Sequence, residues 1–123
     1  MFVILAMIFM HIVDDYCLQG ILASMKQKQW WQAQKEYKPL YKYDYIVALI
    51  MHSFSWAFMI MLPIAMMLNF NVSVGFVVAL ILNMIIHCFV DDLKANKKKI
   101  NLVADQAIHI IQVLATGLMF MWG

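Results

Sequence analysis

Four long apolar stretches, at about residues 2–24, 45–68, 71–93 and 101–122, decide most of what this chain can become. An α-helix rises 1.5 Å per residue, so about 20 apolar residues cross the ~30 Å hydrocarbon core of a bilayer. Each stretch reaches that length. The sequence therefore predicts an all-α, polytopic membrane protein: a single four-helix transmembrane domain over residues 1–123, with the helices packed as a bundle built from two helical hairpins. Composition agrees. Hydrophobic residues make up 65% of the 123 positions and charged residues 13%, and a soluble domain this small could not bury so much apolar surface. A soluble enzyme, a nucleic-acid-binding domain and a disordered chain are excluded.

The charges give the orientation. All nine basic residues are Lys, in two groups: Lys26, Lys28, Lys35, Lys38 and Lys42, then Lys94, Lys97, Lys98 and Lys99. Short Lys-rich loops stay in the cytoplasm, so loops 26–44 and 94–100 are expected inside and both termini outside. The expected location is the bacterial cytoplasmic (inner) membrane, multi-pass. The first stretch lacks a charged leader and a cleavage site, so it reads as a retained span. Trp30, Trp31, Tyr37, Tyr41, Tyr43 and Tyr45 share the first loop with five Lys, and Pro39 interrupts any single helix there. Such a segment, 26–45, suits the headgroup layer of an anionic inner leaflet. Membrane lipids are the expected partners, nucleic acid is not, and a homo-oligomer is compatible with the bundle. Cys17 and Cys88 lack metal-motif spacing and read as small packing residues, as do the twelve Met.

The informative residues are those a bilayer excludes. All four His (His11, His52, His87, His109) and five of the seven acids (Asp14, Asp15, Asp91, Asp92, Asp105) lie in the spans or at their inner ends. An Asp near a helix centre costs about 2.5–3.5 kcal/mol on insertion scales, so such residues face a bundle interior and mark function. His11 and Asp15, His87 and Asp91, and Asp105 and His109 are each four apart, which places each pair on one helix face. Gln19 extends the first stripe, Asn83 and Lys94 the third, and Asn101, Gln112 and Thr116 the fourth. Counted from the Lys groups, most of the ionisable residues lie ~5–16 Å inward, which implies one shared site open to the cytoplasm. A weak repeat of His-x-x-x-Asp in stretches one and three relates the two hairpins by an axis along the membrane normal.

Neutral imidazole and carboxylate are good ligands for a divalent metal, with zinc foremost and iron or manganese as alternatives. The expected ligands are His11, Asp15, His52, His87, Asp91, Asp105 and His109, enough for one or two ions. Gln19, Asn83, Asn101, Gln106 and Gln112 are expected to orient them. Asp14 or Asp92 is expected to move a proton, and Lys94 to hold a phosphate. A network of His–Asp hydrogen bonds that only cements the helices is the alternative, and for three such pairs at one depth it is the less economical one.

The segments His11-Ile-Val-Asp14-Asp15-Tyr16-Cys17-Leu18-Gln19, His52, His87-Cys-Phe-Val-Asp91-Asp92-Leu93-Lys94 and Asp105-Gln106-Ala-Ile-His109 resemble, in this order, the pattern of the domain of unknown function 3307 family. These are small bacterial and phage membrane proteins. The resemblance implies a four-helix membrane protein and supplies no activity; a fainter similarity points to inner-membrane metal-dependent hydrolases. The residues lead to a metal-dependent hydrolase acting on a lipid or lipid-linked ester or phosphoester. The rival is a proton- or divalent-cation-coupled transporter or channel using the same His/Asp cluster. A non-enzymatic phage effector is the third reading.

Overall fold

A computed structural model describes residues 1–34 and 38–122, and the chain is helical through most of them. The helices are α1 (Phe2–Val13), α2 (Ile21–Met25), α3 (Lys28–Gln32), α4 (Asp44–Met67), α5 (Val74–Ala95) and α6 (Leu102–Trp122). A π-helical turn (Asp14–Leu18) continues α1, and a 3-10 turn (Pro39–Tyr41) precedes α4. Among the described residues, three helices are long and apolar enough to cross a membrane: α4 with its leading turn, α5 and α6. Lys35 and Tyr37, part of the expected headgroup segment, lie outside the described residues.

The caps follow from local chemistry. Ser73 starts α5 by accepting the Phe76 N–H at 3.2 Å, and Asn101 starts α6 by accepting the Ala104 N–H at 2.9 Å. Between α4 and α5 the chain reverses through Asn69 and Phe70, both in the left-handed region. The Phe70 N–H closes that turn on the Ala65 carbonyl at 2.7 Å.

The stretch 2–24 is not the single helix expected. α1 has 12 residues, about 18 Å, which falls short of the hydrocarbon core. The wider π turn then takes over at Asp14, and Gly20 breaks the helix with φ +48°, a conformation costly for any side chain. The π turn carries two consecutive carboxylates that are both shielded: Asp14 is fully buried and the Asp15 side chain is only 10% exposed.

α1 packs against α4 and α6, and α5 packs against the same two helices. Gly117 of α6 lets α1 approach closely; a Cβ there would lie 2.9 Å from Ile4 Cγ1. Phe76 meets Phe120 edge to face. These contacts put the α4–α5 turn and both chain ends together at one end of the molecule. The two Lys-bearing segments meet at the other: the Lys28 N–H donates to Asn96 Oδ1 at 2.6 Å, and Asn96 Nδ2 donates to the Lys26 carbonyl at 3.1 Å.

Burial is inverted relative to a soluble protein. Leu5, Phe9, Phe54, Phe58, Ile85, Phe89 and Ile111 are exposed, whereas every His and the carboxylates of Asp14, Asp91 and Asp105 are buried. A dry cluster including Met7, Ile60, Met61, Ile64 and Phe76 fills the interior toward the chain ends. An apolar outside suits lipid, where packing and interhelical hydrogen bonds must hold the helices together.

Gly117→Val should force α1 off α6. A loss of about 1–3 kcal/mol is expected from the overpacking, read as a lowered Tm in detergent, whereas Gly75→Ala, where a Cβ would meet only Ser73 Oγ at 3.6 Å, should leave the Tm close to wild type.

Candidate functional site

Asp91, one turn after His87 on α5, sits at the centre. Its Oδ2 lies 2.8 Å from His52 Nε2 of α4 and 3.5 Å from His87 Nε2. Its Oδ1 lies 3.3 Å from His109 Nε2 of α6. His52 and His87 bring their Nε2 atoms within 3.1 Å, and His87 and His109 their Nδ1 atoms within 3.2 Å. Asp105, one turn before His109, lies 3.2 Å from its Nε2. Helical spacing presents the pairs on α5 and α6, and packing of the three helices makes them one cluster.

The third expected pair behaves differently. No hydrogen bond or ion pair joins His11 and Asp15; Gln106 links them. His11 Nδ1 accepts the indole N–H of Trp56 at 2.7 Å. The opposite nitrogen, Nε2, is therefore the protonated one, and it donates to Gln106 Oε1 at 2.9 Å. That fixes the amide, whose Nε2 donates to Asp15 at 3.0 Å and to Asp105 at 2.9 Å. Both ring nitrogens of His11 are thus occupied, and it orients carboxylates through Gln106. Asp15 turns toward α4 instead, 3.7 Å from His52 Nε2.

Other expected residues spread outward. Asp14 stands apart, accepting from Ser55 at 2.7 Å and from Gln19. Gln112 reaches His109 Nδ1 at 2.9 Å and donates to the Asn83 carbonyl at 3.2 Å, while Asn83 donates to Thr116 at 2.9 Å. Lys94 donates to Asp105 at 3.3 Å. Asp92 lies at the edge, bound by Asn96 at 2.8 Å and Lys97 at 3.7 Å, on a groove that Tyr45 and Leu49 also line. Asn101 caps α6 and is exposed. The structure brings neither Asp92 nor Asn101 to the cluster.

Two residues were missed by sequence reasoning. The Lys26 ammonium, only 11% exposed, lies 2.7 Å from Asp91 Oδ2 and 3.3 Å from His52 Nε2. Trp56 stacks on His87 with ring centroids 4.2 Å apart. Both had a signal. Lys26 continues the polar face of His11, Asp15 and Gln19, and Trp56 follows His52 by four.

The residues suit a cation. Two triads, Asp15–His52–His87 and His87–Asp91–His109, hold their donor atoms within 4.8 Å of one another and share His87. His52 Nδ1 is buried without a hydrogen-bond partner among the described residues, and Asp105 Oδ1 has only the His109 Nε2 contact at 3.2 Å. Lys26 already supplies one positive charge to Asp91.

Beside the cluster, a cleft of about 480 Å³ is lined by Asp15, Lys26, Gln27, Lys94, Lys98 and Gln106, among others. Asp15, Lys26 and Gln106 belong to both cleft and cluster. The cluster therefore reaches solvent at the Lys-bearing end.

Asp91→Ala should strand a buried ammonium. Breaking a buried pair from one side costs about 3–5 kcal/mol, which chemical unfolding in detergent should detect. Adding Lys26→Met should recover most of that loss, since replacing both partners removes the unpaired charge.

No protein-family model, curated protein or solved structure matches this chain.

Proposed function

We propose that the chain is a metal-dependent hydrolase of the bacterial cytoplasmic membrane, acting on a lipid or lipid-linked ester or phosphoester that enters from the inner leaflet. In this reading the polypeptide is a four-helix bundle with both termini outside. The membership it suggests, in the domain of unknown function 3307 family, stands on the motif residues alone.

One observation carries the reading: two His/Asp triads that share His87 and sit beside a solvent-reaching cleft. His52, His87, Asp91 and His109 are the principal ligands, with Asp15 and Asp105 at the margins. Zinc suits this donor set best. A divalent cation supplies Lewis acidity and a water activated near neutral pH. The chain does the rest. Trp56 fixes the plane of His87 and, through His11 and Gln106, the carboxylates of Asp15 and Asp105. Asp15 lies where the cluster meets the cleft, so it is the carboxylate best placed to move a proton; Asp14 is held by Ser55 and Gln19. Lys94, at the cleft, is placed to face an anionic group.

Transport is the second reading. The chain of hydrogen bonds from His109 through Gln112 and Asn83 to Thr116 favours it. The dry cluster around Ile60, Ile64 and Phe76 opposes it by closing the interior toward the chain ends.

Elemental analysis of detergent-purified protein should find one or two divalent ions per chain, lost in His87→Ala while the circular dichroism spectrum stays helical. Gln106→Ala should weaken metal retention about 10–100-fold, the usual cost of removing a group that orients ligands. Metal-free protein, with His87→Ala unchanged in lipid ester or phosphoester hydrolysis, would refute the reading. Ion flux in proteoliposomes abolished by Asp105→Asn would replace it with transport.

A further inference from the structure

We infer that the cleft beside the cluster binds a phosphate-bearing anion through Lys26, Lys94 and Lys98. Only the use made of the bound phosphate rests on the hydrolase reading; the binding does not.

Three Lys line the cleft from separate places: Lys26 after α2, Lys94 in the last turn of α5, and Lys98 in the α5–α6 connection. Their walls are locked together. Asn96 accepts the Lys28 N–H at 2.6 Å and donates to the Lys26 carbonyl at 3.1 Å and to Asp92 at 2.8 Å. The connection is itself pinned, by the Lys97 N–H on the Asp92 carbonyl at 3.0 Å and the Lys99 N–H on the Leu93 carbonyl at 2.8 Å. Between them Lys98 takes φ +52°, and its ammonium donates to Gln29 at 3.2 Å.

Donor capacity remains. An ammonium has three N–H groups. Among the described residues Lys26 donates to Asp91 and lies 3.3 Å from His52 Nε2, Lys94 donates to Asp105, and Lys98 donates to Gln29. The carboxylates that hold Lys26 and Lys94 thus position them and leave N–H groups over. Asp15 is the one carboxylate lining the cleft, against three Lys, and its Oδ2 is engaged by Gln106.

The chemistry selects phosphate. Three ammonium groups from separate elements match an anion with several equivalent oxygens on a tetrahedral centre better than a planar carboxylate, which two donors satisfy. The volume is in the range of small-molecule sites, enough for a phosphate and part of the alcohol it esterifies. The cleft also lies at the Lys-bearing ends of the spans, the level of lipid headgroups. Of the ester and phosphoester substrates, this favours the phosphoester.

The test is calorimetric titration of the detergent-purified full chain with inorganic phosphate, a short-chain phosphatidic acid and hexanoate, in chelator and again with zinc. Both phosphate compounds should bind, and hexanoate should bind at least about tenfold more weakly. The Lys98 ammonium is bonded to Gln29 and to no member of the His/Asp cluster among the described residues, and Lys98→Gln should weaken phosphate about tenfold or more, the loss of a charged hydrogen bond. Lys42→Gln, outside the cleft, should not. Phosphatidic acid binding tighter than inorganic phosphate identifies a lipid headgroup as the source; equal binding identifies free phosphate. Hexanoate binding as tightly as phosphate, or Lys98→Gln binding like wild type, would overturn the inference even if the protein holds metal. Phosphate binding retained in a chain that holds no metal would support it while removing the hydrolase reading.

Discussion

The Asp91 carboxylate is buried among three imidazoles and one ammonium, and the interior is arranged around it. An isolated charge in such a place is expensive, so it persists only with partners on every side. Those partners come from four separate segments: α4, α5, α6 and the residue after α2. Satisfying one carboxylate therefore fixes how these segments meet. In lipid, where no general hydrophobic force drives helices together, such a contact does much of the work that a core does in water.

The same requirement shapes the first segment. Two adjacent carboxylates, Asp14 and Asp15, both turn inward. The π turn and the Gly20 break accommodate them. The break redirects the chain so that Lys26, counted with the outer basic residues, folds back onto Asp91. A cation placed by sequence at the headgroup level becomes an internal counter-charge, and it lies where the cluster meets the cleft.

Legibility varied with the range of the interaction. The His87/Asp91 and Asp105/His109 pairs could be read because helical spacing alone puts them on one face. The inward position of Gln19, Asn83 and Gln112 followed from the same periodicity. His11 and Asp15 have that spacing as well, but the π turn begins between them, so Gln106 joins them from another helix. Asn101 looked like the start of the polar stripe on α6, and its side chain caps the helix instead, a use that spacing does not distinguish. Asp92 adjoins Asp91 in sequence, yet a step of about 100° around α5 leaves it at the edge with Lys97.

By itself the sequence determined the helical class, the length and apolarity that would let α4, α5 and α6 cross a membrane, and the inward face of each, because these depend on hydropathy and a period of 3.6 residues. Tertiary structure alone decided that the first stretch breaks, that Trp56 stacks on His87, that Gln106 bridges two carboxylates and that Lys26 enters the cluster. Each of these depends on contacts between residues far apart in the chain. Their geometry is set by how buried charges find partners, which no local pattern encodes.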